Sequence, residues 1–263
     1  MKSAMLKRGI ERVGEKVIGA IEEIGQLATM LFSALVWMFR PPFRVRVVFQ
    51  SFESVGVGSL FIVLLTGLFA GLVLAYQSDM AFRMFNAETL VGATVAISLL
   101  RELGPVFTGL MVAGRTGSAM TTELGTMRVT EQIDAMAVMA VNPVQYLVMP
   151  RILATTLMVP VLNMLFNFVG IGAAYLLSVE VMNSDPGIFL HHITRFITAQ
   201  DFLFSTIKAA SFGLIIGLVG CYKGFYASGG AKGVGEATTS SVVTSSISIL
   251  LVDYALTVSM WSL

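Results

Sequence analysis

Charge is what this sequence has least of. Only 13% of its 263 residues are Asp, Glu, Lys or Arg, while 56% are hydrophobic. A soluble domain carries about 25% charged residues, so an ordinary water-facing globular fold is excluded. A net charge of +1 lacks the basic excess that a nucleic-acid partner requires. Cysteine is nearly absent: Cys221 stands alone, which excludes an intramolecular disulfide. No CxxC or HExxH pattern occurs. The two histidines, His191 and His192, are neighbours in a polar loop with no third ligand nearby, so no metal site is expected. GxxxxGK[ST] is missing too, so no P-loop for ATP is expected in this chain. Neither catalytic residues nor a cofactor are expected in this one.

What the sequence has is long apolar runs. Five of them, roughly 54–77, 89–114, 147–178, 201–222 and 240–262, are long enough to cross a bilayer as helices. The fold class expected is all-α and polytopic, one membrane domain over 47–263 preceded by N-terminal helices over 1–46. Residues 3–23 place Leu6, Ile10, Val13, Val17 and Ile21 at helical spacing, with Lys7, Arg8, Arg12 and Lys16 between them. That pattern reads as a basic amphipathic helix for an anionic membrane surface, not as a cleavable signal. Residues 24–39 are apolar for only 16 positions before "RPPFRVR". They read as an interfacial or elbow helix, with a short span as the alternative. Thirteen of the seventeen basic residues then fall on one side of the five spans, which favours a cytoplasmic N-terminus and an outward C-terminus. No internal repeat is visible.

Inside the second run stands "SLLRELGPV", with Arg101 and Glu102 near the middle of the span. A charge at bilayer centre costs about 2.5–3.5 kcal/mol, so both need protein partners or a wet cavity. Pro105 removes the N–H that would bond the residue 101 carbonyl, and Gly104 stands beside it; the helix is expected to kink or loosen there. Two more intramembrane charges, Lys208 and Asp253, balance the first two. The expected cluster has Arg101–Asp253 as its principal cross-helix pair. It either locks helix packing or lines a substrate pathway, with Gln77 a further polar group at the end of the first run.

Between the second and third runs, Thr121 or Thr122 offers a cap for a helix over about 121–139, with Glu123 in its first turn. Met127, Ile133, Met136, Val138 and Met139 make an apolar face, and Arg128, Glu131, Gln132 and Asp134 a polar one. Asn142-Pro143 ends it. By pattern the helix suits the membrane surface, or a groove on a partner that accommodates its methionines.

"SLLRELGPV", "AGRTGSAM", "ELGTMRVTEQIDAM" and "AVNPVQYLVMPR", collinear in that order, resemble the MlaE (YrbE) family of ABC-transporter permeases over roughly 50–260. The resemblance implies a homodimer in a bacterial inner membrane, with a cytoplasmic ABC ATPase on each protomer that binds the ATP and magnesium. It also implies a periplasmic MCE-domain partner and, in some systems, a STAS-domain subunit. The cargo it implies is phospholipid moving between inner and outer membranes. The 121–139 helix becomes the coupling helix, with Glu123, Gly125, Met127, Arg128, Glu131, Gln132 and Asp134 at the ATPase joint. A lipid cavity at the dimer interface would use residues 66–77, where Gly67 and Gly71 serve either close approach at that interface or ordinary helix packing. The sequence departs from the family at "GEATTSSVV", where family members carry basic residues and Glu236 and Ser240 stand here. Two other functions fit less well: import of sterols or other hydrophobic compounds by a related Mce system, and an ion-coupled secondary transporter using Arg101, Glu102 and Asp253 as a relay.

Overall fold

The computed structural model describes residues 2–41 and 45–261, with backbone alone for 2–17, 20 and 261. The predicted apolar face of Leu6, Ile10, Val13 and Val17 and the basic Lys7, Arg8, Arg12 and Lys16 therefore lie outside the described side chains, as does the stop at Pro42, Phe43 and Arg44. Every regular element among the described residues is helical. Five helical segments are long and apolar enough to cross a membrane: Val45–Arg83, Glu88–Val129, Val144–Val181, Ala199–Phe225 and Gly230–Met260.

The two N-terminal helices expected from the sequence are one. Helix α1 runs unbroken over Lys2–Met38. Its Met30 and Ala34 are buried against Leu124, Ile133, Leu147 and Ile152, while Phe32 and Leu35 on the rest of its surface stay exposed. Tyr222 Oη donates to Gln26 Oε1 at 2.8 Å, and Lys223 pairs with Glu23. One packed stripe and one bare apolar stripe suit a helix lying at the edge of the bundle, half in protein and half in lipid.

The first span, α2 (Val45–Arg83), lies against the third, whose long α-helix is α7 (Met149–Leu176). Small residues make the approach possible. A Cβ on Gly71 would stand 2.0 Å from the Gly170 carbonyl oxygen, and one on Gly67 2.8 Å from that of Phe166. The two glycines thus serve packing within the chain, because in lipid, where apolar tails compete equally, close backbone contact is what drives helices together. Val63, Leu99, Leu162, Phe166, Phe212 and Ile216 fill the interior between the spans.

The second span is not a plain helix. It passes through α3 (Val91–Ser98), a π-helical turn at Leu99–Leu103, α4 (Gly104–Val112), a second π-helical turn at Ala113–Gly117, and α5 (Ser118–Val129). The sequence reading ended this span near residue 114; the structure carries the helix on to 129. Thr121 and Thr122 are accordingly mid-helix and not caps. Thr121 Oγ1 lies 2.9 Å from the Gly117 carbonyl oxygen, 3.0 Å from that of Gly220 and 2.9 Å from Ser241 Oγ. These contacts join α5 to α9 (Ala199–Phe225) and α10 (Gly230–Trp261). The loop over 179–200 also differs from its polar-loop reading. It contains α8 (Pro186–Phe196), capped by the Asp185 carboxylate, which accepts from the Ile188 N–H at 2.9 Å. Phe189 is buried there, edge-on to Tyr175 at 5.5 Å, and the two histidines lie on this helix.

Candidate functional site

The π-helical turn Leu99–Leu103 carries Arg101 and Glu102. Because the continuous segment spans Glu88–Val129, its midpoint is near residue 108, and the two charges lie about 10 Å from it. Asp253 and Lys208 are displaced in the same direction along their own helices. The cluster therefore sits toward the α8 end of these helices, off the midpoint of the continuous segment.

The pairing differs from the one expected. Arg101 Nε donates to Asp201 Oδ1 at 2.7 Å. Asp201 Oδ2 accepts from the Thr198 N–H at 2.8 Å and the Thr198 hydroxyl at 2.9 Å, a capping box that starts α9. One carboxylate thus caps the fourth span and anchors the second. Asp253 instead meets Lys208, with 3.1 Å between Oδ1 and Nζ. The Lys208 ammonium also reaches Glu102 Oε2 at 2.7 Å, Thr257 Oγ1 at 2.7 Å and the Arg101 carbonyl oxygen at 3.0 Å. Pro105 has no N–H to offer that carbonyl at α-helical spacing, and the Lys208 ammonium donates to it. The Lys208 side chain is 3% exposed and that of Glu102 39%. One buried cation thus ties together the second, fourth and fifth spans.

Gly104 has a second reason to be glycine. A Cβ there would stand 2.2 Å from Asn167 Oδ1 and 2.6 Å from the Leu99 carbonyl oxygen. Asn163 and Asn167 are buried on α7, and Asn163 Nδ2 donates to Ser205 Oγ at 2.9 Å. The loosened turn lets the second span press against this polar seam.

Gln77 does not join the charged cluster. It lines an open groove of about 570 Å³ with Leu65, Phe69 and Val73 of α2 and Leu103 and Phe107 of the second span. Leu103 follows Glu102 on the π-helical turn, so groove and cluster share one structural element.

At the other end of the spans, the single helix expected over 121–139 is two. Helix α5 ends at Val129, and α6 covers Gln132–Val138. Between them Glu131 adopts a left-handed φ of 60°, which reverses the chain and breaks the helix. Arg128 Nη1 donates to Asp134 Oδ1 at 2.5 Å across the corner, and Gln132 Nε2 donates to Thr130 Oγ1 at 3.0 Å. Ile133 is buried and Met127 half-buried, whereas Val138 and Met139 are bare, 88% and 67% exposed. Gly125 packs against Val234 and Ala227. Glu123 turns to Arg151 within the chain, 2.8 Å from its Nη2. Asn142 Oδ1 accepts from the Val144 N–H at 2.9 Å, which makes the turn into the third span. Glu236 stands exposed beside Lys232, 3.8 Å away.

Sequence reasoning missed Asp201 and Thr257. The Thr198-x-x-Asp201 spacing before an apolar run is a capping-box signal, but nothing local indicates that the carboxylate also reaches Arg101.

The family model described as Permease MlaE matches residues 48–259. A probable ABC transporter permease protein of Rickettsia felis is 39% identical over 253 residues, covering 96% of this chain and 98% of that protein. One from Synechocystis is 41% identical over 207 residues, 79% of each. The intermembrane phospholipid transport system permease protein MlaE of Haemophilus influenzae is 37% identical over 260 residues, 98% of this chain and 99% of its own length. The chain belongs to the MlaE family of ABC-transporter permeases.

Proposed function

We propose that this chain is the permease subunit of an ABC transporter that moves phospholipids between the inner and outer membranes of a bacterium. The observation that carries the reading is the groove beside the charged turn. Its wall of Leu65, Phe69, Val73, Leu103 and Phe107 suits acyl chains, and it runs to Gln77 and shares the π-helical turn with Glu102. An amphiphile needs both kinds of surface in one place. The Haemophilus influenzae relative, named for intermembrane phospholipid transport, supports the same cargo.

The chain works as a homodimer, with ATP and magnesium bound by a separate ATPase on the cytoplasmic side. The α5–α6 corner, with bare Val138 and Met139 and the exposed Glu131, Gln132 and Asp134, is the face for that ATPase. Helix α5 is continuous with the second span, so a push on the corner is carried to the two π-helical turns, where the helix is least constrained. The N-terminus is cytoplasmic and the C-terminus periplasmic, which puts the charged cluster near a periplasmic MCE-domain partner. Where the system includes a STAS-domain subunit, it sits on the ATPase.

The test is reconstitution of the full chain with its ATPase and MCE partner, followed by labelled-phospholipid transfer and mass spectrometry of the bound lipid. Ala70→Trp, which fills the groove, is expected to cut transfer at least tenfold while leaving ATPase association intact. Unchanged transfer would refute the groove as the cargo path. Sterol in place of phospholipid would overturn the cargo, and ATP hydrolysis that ignores this chain would overturn the permease role.

A further inference from the structure

A cavity of about 380 Å³ lies at the other end of the bundle, among residues that belong neither to the groove nor to the charged turn. Its walls include Gln50 and Ser54 of α2, Glu123 and Met127 of α5, and Tyr146 and Arg151 of the third segment. Arg151 Nη2 stands 2.8 Å from Glu123 Oε1, and Arg151 Nη1 donates to the Leu147 carbonyl at 2.7 Å. A guanidinium has five N–H donors, so these contacts leave it able to hold another acceptor. The Arg151 side chain is 13% exposed and the Glu123 side chain 61%, so the carboxylate also has room for a second partner.

Depth identifies the class of ligand. A bilayer core takes about 20 residues of helix. Centred on the segments Val45–Arg83, Glu88–Val129 and Val144–Val181, it ends near residues 54, 118 and 152 on this side. Ser54 and Arg151 are therefore at the boundary, with Gln50 and Glu123 just beyond it. Val57, just inside that boundary on α2, is exposed, facing the space that lipid tails fill. A ligand here has one end in hydrocarbon and the other between a cation and an anion. An anionic headgroup would meet Glu123 repulsion, and an apolar molecule would leave the spare Arg151 donors without an acceptor. A zwitterion satisfies both charges.

We propose that this cavity binds the headgroup of a zwitterionic phospholipid from the adjacent leaflet, its phosphate on Arg151 and its amine on Glu123. The site depends only on membrane embedding and stands whether or not the groove carries cargo. Wedged between α2 and α5, the bound lipid ties the first span to the helix that leads into the α5–α6 corner. Leaflet composition is thereby coupled to the position of that corner.

The test is native mass spectrometry of the detergent-purified full chain titrated with phosphatidylethanolamine. One lipid per protomer is expected, with affinity lowered about tenfold by Arg151→Gln or Glu123→Gln, the loss of one charge-assisted contact. Glu123 is exposed enough that its substitution leaves the fold intact. Ala70→Trp, in the groove, is expected to retain this lipid, which separates the two sites. Equal binding of phosphatidylglycerol, or unchanged binding in both charge variants, would overturn the proposal. Competition by soluble glycerophosphoethanolamine at the same concentration would assign the site to a free metabolite instead. Loss of the lipid on adding the ATPase subunit would make a protein segment the occupant, which also overturns it.

Discussion

Replacing Lys208 by methionine keeps most of the side chain's length and removes the ammonium. Four oxygens now converge on that ammonium, from Glu102, Asp253, Thr257 and the Arg101 backbone. Without it, two carboxylates face each other across an apolar methyl group. Removing one partner of a buried ion pair costs about 3–5 kcal/mol. Glu102 at 39% exposed can recover water, while Asp253 at 17% recovers less. The lower end, about 3 kcal/mol, is therefore expected for Lys208→Met. For a chain of this size about 1 kcal/mol shifts the melting temperature by roughly 2–4 °C, so the variant should melt about 6–12 °C lower. The assay is thermal unfolding in detergent, read by size-exclusion chromatography of the heated sample. Adding Glu102→Gln and Asp253→Asn removes the stranded charges and should restore most of the loss, since a buried ionic group replaced as a whole is close to neutral. An unchanged Lys208→Met melting temperature, or a triple variant no more stable than the single one, would refute the cluster as described.

Two further substitutions probe the packing and the corner. Gly71→Val drives a branched side chain into the Gly170 backbone, which cannot yield as a side chain can. A loss of about 3 kcal/mol is expected, read in the same melting assay, with Gly67→Ala milder because its nearest atom is farther away. Glu131→Gly relieves a left-handed residue and should raise stability by about 0.5–1 kcal/mol, a gain of a few degrees; a lower melting temperature would show that the Glu131 side chain holds the corner by contacts of its own.

Five spans and a helical membrane fold were legible because hydropathy is a local property of the chain. Apolar runs of about 20 residues among so few charges admit little else. The members of the charged cluster were legible for the same reason: Arg101, Glu102, Lys208 and Asp253 stand out against their surroundings. Pro105 next to Gly104 marked the place where the second span departs from α-geometry. The partners were not legible. Asp201 looks like the cap of its own helix, and its second oxygen meets an arginine 100 residues earlier in sequence. Nor did the run of residues 114–139 show where one helix ends and the next begins, because the break rests on a single left-handed residue, Glu131. The sequence by itself determined that the chain crosses a membrane and which charges it carries inside. Only the tertiary structure decided that Lys208 holds Glu102 and Asp253, that Arg101 holds Asp201, and that this occurs toward the α8 end of the spans. Pairing depends on the azimuth and register of each helix, and two π-helical turns shift both in a way that residue spacing does not reveal.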